Sequence, residues 1–188
     1  RIQEGVVRGF RDFLYSQGFT EIHTPKIGAK SAEGGANLFR LEYFHRPAIL
    51  QQSPQFYKQA LVGVYERVFE IGPVFRAEKS FTSKHTTEFS GFDLEFSYIT
   101  SYKDVMKMEE ELLTAGLQAV KDNYGDQIKE MFGQEVIVPT TPFPVVKLAD
   151  LYKALEEEFG IEIPSEDLEN IVTVNDIMGY LKEKGVEA

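Results

Sequence analysis

Apolar residues recur at helical spacing from the start of the chain, at Ile2, Val6, Phe10, Phe13 and Leu14, and Gly18 follows as a stop signal. The period then changes. Phe19-Thr20-Glu21-Ile22 alternates as a short strand ended by Pro25, and Ser31-Ala32-Glu33-Gly34-Gly35-Ala36 is small enough to be a flexible loop. Leu38 to Phe44 alternates again as a strand. Ser53-Pro54 predicts a helix start, with Ser53 as N-cap and Pro54 at the first helical position, running to about Tyr65. Two strands follow, Val68 to Glu78 and Glu88 to Ile99. In the second, Phe92, Leu94, Phe96 and Tyr98 alternate with Gly91, Asp93, Glu95 and Ser97, which predicts one apolar and one polar face.

Ser101 with Asp104 has the capping-box pattern, opening a helix whose stripe is Val105, Met108, Leu112, Ala115 and Ala119. Pro139 to Pro144 reads as a linker, and from Leu148 onward the chain is acidic and helical. Runs of strands bracketed by helices, without βαβ alternation, predict an α+β fold: an antiparallel β-sheet flanked by helices, with an acidic helical C-terminal segment. The expected division is a core over residues 1–145 and a helical insertion or appendage over 146–188.

A chain of 188 residues fits one domain with a small appendage and is long enough for a proper core. No apolar run approaches the roughly 20 residues of a membrane span, and no signal peptide opens the chain, so no membrane partner is expected. The absence of cysteine excludes disulfides and thiolate metal sites and fits a reducing, cytoplasmic setting. A net charge of -10 argues against a broad nucleic-acid footprint, so any RNA contact would be local. Arg1 opens directly into a helical pattern without an initiator Met, as expected of a piece of something longer.

Candidate chemistry concentrates on the two strands around residue 80. Residues two apart on a strand share a face, so Arg76 goes with Glu78, and Phe89 with Asp93 and Glu95. Paired through the loop between them, these strands would present a guanidinium, three carboxylates and a ring on one surface. A guanidinium fork matches phosphate oxygens, and a ring can stack on a base, a contact worth about 1–3 kcal/mol. On spacing alone, cross-strand pairing of Arg76 and Glu78 on a solvated face is an equal reading.

Longer motifs separate the two readings. Phe75-Arg76-Ala77-Glu78, the polar loop, His85 and Glu88-Phe89 resemble motif 2 of the class II aminoacyl-tRNA synthetases, and Phe19 to Pro25 behind an amphipathic helix is similar to motif 1. Ser31-Ala32-Glu33-Gly34-Gly35-Ala36-Asn37, Gln52-Ser53-Pro54-Gln55 and Tyr57-Lys58-Gln59 resemble the aspartyl enzymes of the eukaryotic and archaeal kind. The resemblance covers roughly residues 1–145.

The resemblance implies a set of roles. Arg76 would bind the α-phosphate of ATP and stabilise charge on the transferring adenylate, as the catalytic cation. Glu78 and Phe89 would hold the adenine, and His85 would approach the γ-phosphate. Gln55 and Lys58 would receive aspartate, with Lys58 pairing its side-chain carboxylate, while Glu33 and Asp93 would hold its α-ammonium. Ser80 and Thr82 fall where the family's loop touches the acceptor end of tRNA, and Pro25 belongs to a homodimer interface. Implied partners are therefore aspartate, ATP, tRNA and a second copy. His23 and His45 match no role and read as structural, and Glu95 is assigned none.

A cation at Lys58 suits a carboxylate substrate, because a buried charge wants a paired, hydrogen-bonded partner. The asparaginyl enzymes tend to carry Glu at the place of Asp93, and the lysyl enzymes replace Gln55 by Glu. The balance favours aspartate; the alternative on the same core is an asparaginyl-tRNA synthetase or an asparagine-making paralogue.

The chain also departs from the family. Lys84 stands where Arg is usual and Phe81 where Asn is usual, which weakens the loop's phosphate or tRNA contact. Motif 3, the carboxylates that hold Mg²⁺ and the anticodon-binding domain are not found in this sequence, so the metal ligands are expected outside it. A non-catalytic module that dimerises or binds is thus a second function class. Ala154 to Phe159, Glu162-Ile163-Pro164, Glu166-Asp167 and Thr173-Val174 resemble the second half of an acyl carrier protein. Pro142 to Lys147 holds no serine for the prosthetic group, so the segment reads as a helical insertion.

Overall fold

A computed structural model describes residues 1–30, 38–77, 86–164, 167 and 174–185. The chain divides into two compact units, Arg1–Pro142 and Phe143–Ala188.

The first unit is built on two packed helices, α1 (Ile2–Ser16) and α3 (Tyr102–Phe132). Helix α3 begins with the capping box expected of Ser101 and Asp104. The Asp104 carboxylate accepts hydrogen bonds from the Ser101 and Thr100 amides, which hold its pKa below the usual carboxylate value. Gly133 closes the helix in the left-handed conformation that a glycine adopts at little cost. The helices meet closely because the contact is lined by small residues. A Cβ on Gly9 would lie 2.6 Å from the Ala119 Cβ, and one on Gly116 would lie 2.3 Å from the Phe10 ring. Ala115 and Ala119, placed on the apolar stripe by periodicity, serve here mainly through their small size.

The sheet beneath these helices has the order β1-β5-β6, with β1 at Thr20–Glu21, β5 at Arg67–Phe75 and β6 at Glu88–Phe96. The β5–β6 pair is antiparallel, as expected, whereas β1 runs parallel to β5. Leu14, Phe19, Phe69, Met108 and Leu112 form the core, joined by Phe10, Phe13, Ile71, Phe92, Leu94 and Phe96. The expected apolar face of β6 thus holds for Phe92, Leu94 and Phe96 but not for Tyr98. There φ is +60°, the strand has ended, and the ring is 85% exposed.

A clamp ties α1 to β1. Arg11 donates from Nη2 and Nε to Glu21 Oε1 at 2.9 and 3.1 Å, and the Tyr15 hydroxyl donates to Oε2 at 2.6 Å. Burial pushes the Glu21 carboxyl up, but the Arg11 and Tyr15 hydrogen bonds outweigh it and leave the pKa below the ordinary 4.5. A carboxyl depressed in the folded state adds stability that is fully present above its unfolded pKa. That stability is lost as pH falls through the lower folded value. Glu21→Gln is therefore expected to cost about 1 kcal/mol at pH 7. In urea titrations at successive pH values, its gap from the wild type should close below pH 4.5.

A second sheet has the order β2-β4-β3, all antiparallel, with β2 at Ile27–Gly28, β3 at Arg40–Tyr43 and β4 at Arg46–Leu50. β4 escaped the alternation pattern because both Ala48 and Ile49 are buried. The β3–β4 turn is also disguised: Phe44 and His45 supply the two positive φ angles usually given by Asn-Gly. The Gln51 amide donates to Lys26 O at 2.9 Å, continuing the β2–β4 ladder, and the Phe75 amide joins the two sheets by donating to Gln51 O at 3.1 Å. Helix α2 (Gln55–Tyr65) starts one residue later than expected. Pro54 takes the cap position, and Ser53 Oγ accepts from the Gln55 amide at 3.2 Å.

The second unit contains α4 (Leu148–Phe159) and α5 (Val174–Glu183). Its small core is Tyr152 and Ile163 with Leu155, Ile161, Ile177 and Tyr180. Among the described residues no helix is long and apolar enough to cross a membrane.

Candidate active site

The register of β5 with β6 decides which side chains share a surface. Val68 faces Glu95, Glu70 faces Asp93, Gly72 faces Gly91, and Val74 faces Phe89. Directly opposed residues point to the same side of a sheet, so this is the face turned away from the Phe69–Leu94 core layer. Beyond the strand end the Arg76 amide still donates to Thr87 O at 2.9 Å, which extends the ladder by one rung and keeps Arg76 on the same face. The sequence expectation that Arg76, Phe89, Asp93 and Glu95 share one surface therefore holds.

The two ends of this face differ in chemistry. At one end the Arg76 guanidinium carbon lies 5.6 Å from the centroid of the Phe89 ring, a cation–π distance. At the other end α2 brings in Lys58. Its Nζ lies 2.6 Å from Asp93 Oδ1 and 3.5 Å from Glu95 Oε2, with side-chain exposures of 12%, 25% and 35% for Lys58, Asp93 and Glu95. Gln55 starts the same helix three residues earlier, the spacing that puts two side chains on one helical side.

Between the ends the floor is bare backbone, because Gly72 and Gly91 oppose each other across the strands. Neither glycine has a positive φ, and the Lys26 side chain comes within 3.6 Å of where a Cβ on Gly72 would be. A Cβ on Gly91 would stand 2.8 Å from a Val74 methyl, so even a small side chain disturbs the floor. From Phe89 to Asp93 the strand rises about 13 Å. A strip of that length with a cation and ring at one end, and an ammonium between carboxylates at the other, suits an extended ligand bearing an anion, a planar base and a second polar group.

Five expected site residues, Glu33, Glu78, Ser80, Thr82 and His85, lie outside the described residues. Pro25 is exposed, on the segment that leaves β1. Three residues that the sequence reading missed sit beside the strip. Glu70 is 4% exposed and accepts hydrogen bonds from the Thr24 amide, the Thr24 hydroxyl and Lys26 Nζ, at 2.6, 2.8 and 2.7 Å. A signal was available: Glu70 is a lone charge within the apolar run Val68-Phe69-Glu70-Ile71. Among the described residues no three carboxylates or histidines converge to hold a metal ion, and Asp93 and Glu95 are both engaged by Lys58. The described residues therefore do not fit the Mg²⁺ that the resemblance implies, whose ligands are expected outside this sequence.

This arrangement has close relatives. The chain is 44% identical over 168 residues to an aspartate–tRNA(Asp/Asn) ligase of Aeropyrum pernix, covering 88% of this chain and 38% of that protein. It is 44% identical over 174 residues to the cytoplasmic aspartate–tRNA ligase of Caenorhabditis elegans, covering 89% of this chain and 32% of that protein. The chain thus spans well under half the length of the curated relatives it matches. Among solved structures, the asparaginyl-tRNA synthetase of Pyrococcus horikoshii complexed with asparaginyl-adenylate superimposes with a TM-score of 0.76 at 32% identity, covering 88% of this chain and 38% of that one. The family model of class II tRNA synthetases (D, K and N) matches residues 1–178. With these relatives and a family model that matches most of its length, the chain belongs to the class II tRNA synthetases.

Proposed function

We propose that this chain carries the aspartate-binding and adenylate-forming face of an aspartate–tRNA ligase. The observation that carries the reading is the strip between Arg76 with Phe89 and Lys58 with Asp93 and Glu95. Phe89 takes the adenine of ATP by stacking, and Arg76 takes the α-phosphate. Lys58 turns from Asp93 and Glu95 to the side-chain carboxylate of aspartate, with Gln55 beside it, and the freed Asp93 accepts the substrate α-ammonium. The aspartate α-carboxylate then attacks the α-phosphorus in line, the bond to pyrophosphate breaks, and aspartyl-adenylate forms. No protein nucleophile is needed; the chain contributes positioning and charge neutralisation. Transfer to the 3′ end of tRNA follows in the intact enzyme. By resemblance, Glu33, Glu78 and His85 complete the ligand contacts, Ser80 and Thr82 meet the tRNA end, and the segment around Pro25 supports a homodimer in the cytoplasm.

The aspartate assignment rests on Lys58, and the naming of the more similar curated relatives supports it. An asparaginyl enzyme is the second reading, supported by the similarity to the Pyrococcus structure. Aspartate-dependent ATP–pyrophosphate exchange, measured on this chain and on the longer protein containing it, tests both. Exchange with aspartate in the longer protein is expected. Exchange with asparagine alone would transfer the assignment to the second reading, and no exchange in either protein would leave a non-catalytic module.

A further inference from the structure

Glu70 is a buried charge with no place in the reaction described above, and its surroundings give it one. It sits directly across the β5–β6 ladder from Asp93, on the same face. Opposed side chains there have Cβ atoms about 4.5–5.5 Å apart, and like charges so placed destabilise each other. Each carboxylate has its own lysine: Lys26 Nζ is 2.7 Å from Glu70 Oε2, and Lys58 Nζ is 2.6 Å from Asp93 Oδ1. Thr24 fixes this division, since its amide and hydroxyl also donate to Glu70 while the hydroxyl oxygen accepts from Lys26 Nζ at 3.1 Å.

The charged groups facing Glu70 are therefore Lys26 from the segment after β1, Asp93 and then Glu95 from β6, and Lys58 from α2. Among the described residues, two ammonium groups serve three carboxylates. Without Lys26, the one remaining ammonium would be drawn toward Glu70 and away from the substrate end. Lys26 also stands at the edge of the strip, with its Nζ 3.7 Å from where a Cβ on Gly72 would be.

We infer that Lys26 is a positioning residue for the amino-acid end of the site: by neutralising Glu70 it leaves Lys58 to Asp93, Glu95 and the incoming carboxylate. The substrate part of this inference rests on the aspartate reading of Lys58; the charge coupling does not.

Two single substitutions separate positioning from mere structural support, because they must act with opposite sign. Carbon-detected NMR titration of the Asp93 carboxyl in this chain is the first readout. Lys26→Met should raise the Asp93 midpoint by about one pH unit, a tenfold effect for an uncompensated charge at this range. Glu70→Gln should lower it, and the double variant should return close to the wild type. Shifts in the same direction, or no shift, would overturn the inference. If Lys26→Met does not fold, Glu70→Gln decides alone, because it leaves no buried carboxylate unpaired; an unmoved Asp93 midpoint then sinks the idea.

The second readout is exchange kinetics in the intact enzyme. Lys26→Met should raise the aspartate KM about tenfold with the ATP KM unchanged, and adding Glu70→Gln should reverse most of the rise. KM values for aspartate and ATP that rise together, or a double variant no better than the single one, would count against positioning. A wild-type enzyme without aspartate-dependent exchange would defeat the synthetase reading, while the titration would still decide the coupling of Lys26, Glu70 and Asp93.

Discussion

Arg76→Ala in the intact enzyme is expected to lower aspartate-dependent ATP–pyrophosphate exchange by about 10²–10³-fold, the usual loss when one preorganised donor to a developing charge is removed. The expectation follows from where Arg76 stands. Its backbone is still in the ladder through Thr87, while its guanidinium lies against Phe89 at the end of the glycine floor. It is therefore oriented before substrate arrives and needs little reorganisation when charge builds on the α-phosphate. The loss should fall mainly on kcat, since the interaction strengthens in the transition state. Arg76→Lys should recover only part of it, because an ammonium keeps the charge but not the planar fork. Arg76 is exposed and outside the core, so thermal melting of the variant should match the wild type. An exchange rate within a few-fold of wild type would reduce Arg76 to the solvated cross-strand charge that spacing alone equally allowed.

Lys58→Met should produce the second large effect, on aspartate rather than on ATP. Truncating one partner of a buried, hydrogen-bonded charge pair costs roughly 2–5 kcal/mol. Asp93 and Glu95 keep 25% and 35% exposure, so water screens part of this interaction. The lower end of the range applies, and the expected fall in kcat/KM for aspartate is about 30-fold to 100-fold. Two carboxylates left without their ammonium would also repel the incoming substrate carboxylate, which pushes the effect onto KM. The ATP KM should stay put, because Phe89 and Arg76 lie at the other end of the strip. An exposed surface pair would behave differently, with about 0–1 kcal/mol at stake and no selectivity between the substrates.

Much of this architecture was legible in local pattern. The α1 and α3 helices, the capping box at Ser101 and Asp104, and the alternation of Phe92, Leu94 and Phe96 with Asp93 and Glu95 all follow from periods of 3.6 and 2 and from short-range hydrogen bonding. Local rules failed where two faces of a strand were both buried, as at Ala48 and Ile49, and where a Phe-His pair took a turn geometry usually left to glycine and asparagine. They also failed at Glu70, whose burial makes sense only with Thr24 and Lys26, residues more than forty positions earlier.

The chain's own order of residues was enough to specify the elements, the polar face of β6 and the motif residues Arg76, Phe89 and Lys58, because each depends on neighbours within a few positions. Tertiary structure alone decided how these came together on one face. The β5–β6 register set Gly72 against Gly91 and Glu70 against Asp93, and a shift of one residue in β6 would have turned Asp93 toward the core. The packing of α2 then carried Lys58 to the Asp93 carboxylate, 35 residues away in sequence. The close approach of charges is a property of distance in space, which no periodicity along the chain encodes.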